Sequence, residues 1–68
     1  MPTETFFKLT EEKRKKIIEA GKDEFSSVSL DEASIKNIAE KAGIARGSFY
    51  QYFKSKKDLL FFILEENR

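Results

Sequence analysis

After Pro2 the chain contains no further proline, and from Thr10 to Leu64 its apolar residues return at intervals of three and four. Nothing removes a backbone N–H from a helix over that span, and the period is that of one helix face rather than the alternation of a strand. The fold class that follows is all-α. In 68 residues there is room for one small domain. Its core must come from tightly packed helices or from a partner, because with no Cys and no His it has neither disulfides nor thiolate or imidazole ligands for a stabilising metal.

The same two missing residue types remove Ser-His-Asp and Cys-His catalysis and any thiol redox centre. The carboxylates Glu11, Glu12, Glu19, Asp23 and Glu24 sit among lysines with no evident pocket, which is a poor setting for a general acid and base. The chain is therefore read as a non-enzyme, with no cofactor and no metal. Met1 to Lys8 has neither the basic start nor the long apolar run of a secretory signal. The longest apolar run, Leu59 to Leu64, is far below the ~20 residues that cross a bilayer. A cytoplasmic protein with no membrane partner is expected.

Four helices can be placed. Thr10 is a good N-cap, and Glu11 and Glu12 suit the positive end of the helix dipole, so a first helix starts there and ends near Ser26 and Ser27. Ile17, Ile18, Gly21 and Phe25 form its inner face, with Lys13 to Lys16, Glu19, Lys22, Asp23 and Glu24 mostly turned outward. Ser34 caps a second helix that buries Ile35, Ile38, Ala39 and Ala42, and Gly43, free to take the left-handed conformation, ends it. A third helix runs from about Ala45 to Tyr52, with Phe49 and Phe53 supplying its apolar face. Ser55 and Asp58 start a fourth in the manner of a capping box.

Two short helices joined by a glycine turn make a helix-turn-helix, about residues 34–53, whose second helix can lie in a DNA major groove. Charge agrees with that placement. Net charge is only +1, yet between Ile44 and Asp58 four cations, Arg46, Lys54, Lys56 and Lys57, meet a single carboxylate. Arg46, Gly47, Ser48, Tyr50, Gln51 and Tyr52 give the third helix a polar and aromatic row. Arg pairs with guanine, Gln with adenine, and Tyr or Ser reaches phosphates or thymine methyls. Gly47 weakens a short helix by about 1 kcal/mol relative to Ala, which suggests that something must approach its backbone closely. Lys54, Lys56 and Lys57 follow, placed to hold phosphate.

The stretch from Ile38 to Leu60, IAEKAGIARGSFYQYFKSKKDLL, resembles the amino-terminal DNA-binding domain of the tetracycline-repressor (TetR) family of transcriptional regulators. It matches that family's I-A, its G-V turn, its G-T-L-Y-x-Y-F recognition helix and the following S-K-x-x-L; the resemblance covers roughly Thr10 to Leu64. It implies a three-helix homeodomain-like core with a fourth connecting helix. By position it assigns base contacts to Arg46, Gly47, Ser48 and Gln51, and backbone contacts to Tyr50, Tyr52, Lys56 and the start of the second helix, Ser34 to Lys36. It further implies a repressor, released from a palindromic double-stranded operator by a small effector, and a homodimer formed through a C-terminal effector-binding domain that this chain lacks. Three positions depart from the family pattern. Ala45 stands where Ser or Thr is usual, which bears on one N-cap and one phosphate contact; Ala33 replaces the first of a Thr pair; Ser29 stands where Gly is frequent.

Plainer readings apply elsewhere. Phe25, Ile38, Phe49 and Phe53 are read as core rather than as a ligand pocket. Lys13-Arg14-Lys15-Lys16 alternates with carboxylates and is read as a solvated face with local ion pairs. Leu59 to Leu64 is apolar all round, so some of these side chains need a surface besides their own core. A small helical protein-interaction module is the rival reading of the whole.

Overall fold

A computed structural model describes residues 2–66. Five helices follow one another: α1 (Glu4–Phe7), α2 (Glu11–Ser27), α3 (Ile35–Ala42), α4 (Arg46–Tyr52) and α5 (Lys56–Glu66). There is no strand among the described residues. The four expected helices are α2 to α5, and Thr10 and Ser34 cap as anticipated: their hydroxyls accept from the N–H groups of Lys13 and Asn37, each at 3.2 Å.

Helix α1 is a departure from the sequence reading, which left residues 2–9 without structure. Thr3 caps it, its hydroxyl accepting from Phe6 N–H, and Phe6 is almost fully buried. The Phe6 ring lies 5.0 Å from Phe53, 5.6 Å from Phe62 and 6.4 Å from Tyr52, centroid to centroid. An aromatic cluster thus joins the start of the chain to α4 and α5. Arg14 fastens the turn between α1 and α2 by donating to the carbonyls of Phe7 and Leu9, at 2.9 and 2.8 Å.

Helix α2 is the spine, packed on α3 and α5, while α4 packs on α3 and α1. Ile17, Ala20, Ile38, Ala42, Phe49, Phe53, Leu59 and Ile63 complete the core with Phe6. At Gly21 the side chains of α5 press close against the backbone of α2. A Cβ there would lie 2.9 Å from both Leu59 Cδ2 and Ile63 Cδ1, closer than carbon atoms pack.

One outward assignment on α2 is wrong. Glu24 is only 4% exposed, and its carboxylate crosses to α3. It accepts from Ser34 N–H at 2.9 Å, Asn37 Nδ2 at 3.3 Å and Lys41 Nζ at 3.0 Å. A buried carboxylate with this many donors is satisfied as an anion, so tertiary hydrogen bonding overrides the tendency of a charged side chain to face water. The Ser34 N–H and then Lys41 hold its pKa below the ordinary value of 4.5 against the opposing effect of burial. Lys41 is raised in turn, first by Asp23 at 2.7 Å and then by Glu24.

Candidate nucleic-acid interface

Helix α3 ends in a Schellman turn. Gly43 has φ 76°, its N–H donates to Glu40 O at 3.2 Å, and Ile44 N–H reaches back to Ala39 O at 3.0 Å. Only two residues then separate the end of α3 from Ala45, and the chain turns directly into α4. The inner side of α4 is Phe49, fully buried, with Phe53 just beyond it. At ~100° per residue the opposite crest falls on Gly47 and Gln51, with Arg46 and Tyr50 on one flank and Ser48 and Tyr52 on the other. Arg46, Gly47, Tyr50 and Gln51 are exposed, and Ser48 and Tyr52 are half-buried.

The Arg46 flank faces an open groove. Its walls carry Ser34 and Lys36 from the start of α3, Arg46 and Tyr50 from α4, and Lys54, Ser55 and Lys56 before and at the start of α5. Five of the nine sequence-predicted site residues, Ser34, Lys36, Arg46, Tyr50 and Lys56, are therefore gathered in one concavity of positive charge. Gly47, Ser48 and Gln51 run along α4 outside it. Tyr52 stands apart on the far flank, its ring turned edge-on towards Phe6.

Lys56 has internal partners that sequence spacing did not suggest. Its ammonium donates to Asp31 O at 3.0 Å and Ala33 O at 2.9 Å, fastening the first turn of α5 to the loop that leads into α3. An ammonium has three N–H donors, so one is left to point into the groove. Ala45, as its residue type implied, gives α4 no side-chain cap.

Gly47 has an instructive environment. Its backbone is ordinary right-handed helix, since Gly43 is the residue with positive φ, and a Cβ built on Gly47 would meet nothing within 4 Å. Neither conformation nor internal packing calls for glycine at this position. The space is open only towards whatever lies outside the molecule.

Two supporting residues were missed by the sequence reading. Thr3 donates its N–H to Tyr52 O at 2.9 Å and its hydroxyl to Gln51 O at 2.6 Å, supplying donors to carbonyls at the end of α4 that no helical N–H reaches. The signal for it was Thr followed by Glu and, at the third position, a phenylalanine. Glu24 fixes the start of α3, and its signal was its place on the Ile17-Ala20-Gly21 stripe, seven residues after Ile17.

Comparison with known proteins identifies relatives of the chain as a whole. The family model for bacterial regulatory proteins of the tetR family matches residues 17–62. An uncharacterized HTH-type transcriptional regulator of Bacillus subtilis, YvdT, is 47% identical over 53 residues, 78% of this chain and 27% of that protein. The HTH-type transcriptional regulator HbdR of an Aromatoleum species is 41% identical over 58 residues, 85% of this chain and 25% of that protein. A crystal structure of a TetR family transcriptional regulator from Chloroflexus aurantiacus superposes with a TM-score of 0.85 at 56% identity, covering 91% of this chain and 29% of the other. The chain thus spans between a quarter and a third of the length of these three relatives.

Proposed function

The chain belongs to the tetR family of bacterial regulatory proteins, and from that premise we propose that its α4 enters the major groove of a palindromic operator and reads it for a transcriptional repressor. Arg46, Gly47, Ser48 and Gln51 face the base edges. Ser34, Lys36, Tyr50, Tyr52 and the remaining donor of Lys56 meet the sugar-phosphate backbone. Dimer formation and release by a small effector are assigned to a C-terminal domain beyond these residues, and the working compartment is the cytoplasm. Two linked heads set in successive major grooves would gain a factor of roughly 10² to 10⁴ in avidity over one.

The observation that carries this reading is Gly47, a helical glycine with open space where its side chain would be, set between exposed Arg46 and Gln51. A duplex edge is the kind of partner that needs the backbone bare at that point.

The rival is a protein-docking module, and exposed Phe61 and Leu64 on α5 favour it. Salt separates the two. Fluorescence anisotropy on random and selected duplexes at two salt concentrations should show binding that weakens steeply as salt rises, whereas apolar docking holds or strengthens slightly. Arg46→Ala should relax base preference at one position of the selected site. Unchanged selectivity in that variant, or affinity indifferent to salt, would overturn the reading.

A further inference from the structure

The run Lys13-Arg14-Lys15-Lys16 reads in sequence as one solvated stripe, and the structure divides it three ways. Arg14 is used internally, at the turn after α1. Lys15 lines shallow surfaces beside Glu12 and Glu19 on one side and beside Phe7 and Glu11 on the other. Lys16 shares the first of these surfaces with Lys15, and together with Lys13 it also lines a different cleft, whose other walls are Leu9, Ile17, Ala42, Gly43, Ile44 and Tyr52. That cleft lies on the flank of α4 away from the Arg46 groove, and it includes the turn between the two helices of the helix-turn-helix.

A helix lying in a major groove has a phosphodiester strand on either side. The groove is roughly 12 Å wide and a helix with its side chains roughly 10 to 12 Å across, so both strands come within side-chain reach. On the Arg46 flank α3, α4 and α5 supply the cations. On the Tyr52 flank the charged groups lining the cleft are Lys13 and Lys16, both exposed. Lys16 pairs with Glu12 at 3.9 Å, both side chains largely in water, so that contact is weak and readily exchanged. No ion pair engages Lys13 among the described residues.

We propose that Lys13 and Lys16 of α2 form a second phosphate-binding edge, which grips the DNA strand on the Tyr52 side while the groove around Lys36, Lys54 and Lys56 grips the other. This rests on α4 being the DNA-reading helix. The edge carries no base information; it sets the seating of α4 across the groove and adds to the salt dependence of binding.

The test uses the 68-residue chain and a short random-sequence duplex, titrated by anisotropy over a range of salt. Lys13→Ala and Lys16→Ala should each reduce the slope of log affinity against log salt by about one and weaken binding about eightfold at 0.1 M salt. Lys16→Arg should keep the wild-type slope. Lys15→Ala, which removes the same charge from the same helix but outside the cleft, should also keep it. Equal slopes for all four variants and wild type would overturn the second edge and leave the role of α4 intact. A slope lowered in Lys15→Ala as much as in its neighbours would do the same, by showing overall charge at work. Failure of the wild-type chain to bind duplex in a salt-dependent way would remove both proposals together.

Discussion

Helices α3 and α4 are consecutive, eight and seven residues long, and they are held in opposite ways. Helix α3 is fixed at both of its ends: Ser34 caps it, Glu24 of α2 adds a second acceptor at the same terminus, and Gly43 closes it. Helix α4 has no side-chain cap, carries a glycine in its first turn, and receives the hydrogen bonds at its far end from Thr3. It is a helix because Phe49 and Phe53 are buried beneath it and Phe6 packs against its end. Holding a helix from below leaves its outer side chains with no structural duty. They are then available to an external partner.

That contrast can be broken at four places. Phe6→Ala strikes the outside support of α4 and should cost about 3 to 5 kcal/mol in urea or thermal unfolding, the range for emptying an aromatic site in a core. A loss under about 1 kcal/mol would mean that α4 does not depend on the amino-terminal segment. Glu24→Gln strikes the support that α2 gives to the start of α3. It keeps the shape but removes the charge from a buried acceptor of three donors, and should cost about 2 to 3 kcal/mol at neutral pH.

The acid dependence of that second variant gives its sign. Glu24 has a folded pKa below its ordinary 4.5, so its contribution is complete above that value and is lost as pH falls through the lower, folded one. Wild type and Glu24→Gln should therefore converge in stability as the solution is acidified below about pH 4.5. A gap that stays constant down to pH 2 would show that the carboxylate's charge is not what matters.

The two smaller changes give α4 what it lacks. Ala45→Ser supplies the missing cap and should stabilise the domain by about 0.5 to 1 kcal/mol, read as a raised unfolding midpoint. Gly47→Ala should add about 0.5 kcal/mol, since a methyl group there meets nothing inside the molecule, yet it should lower duplex affinity. Stability and binding moving in opposite directions is the result that sharpens the comparison; affinity unchanged by Gly47→Ala would show that nothing approaches that backbone.

The parts of this molecule that were legible in its sequence are those governed by local rules. Thr10, Ser34 and Gly43 are helix punctuation, and spacing alone puts Phe49 inward and Arg46 and Gln51 outward. What escaped was set by contacts distant along the chain. A four-residue helix has no period to detect, and Phe6 becomes core only because Phe53 and Phe62, dozens of residues later, converge on it. Glu24 obeyed the apolar period while being a charged residue, and its chemistry outweighed its position. The internal partners of Lys56 are backbone carbonyls, which no side-chain pattern announces. Of the candidate site, the exposed row on α4 was readable. The division of the basic run on α2 was not, because it depends on which neighbour each lysine faces.

The Thr3 bridge has a practical outcome for anyone handling this domain. A peptide fused ahead of Thr3, such as an affinity tag, starts close to the last turn of α4, where its bulk and charge can interfere with whatever that helix touches.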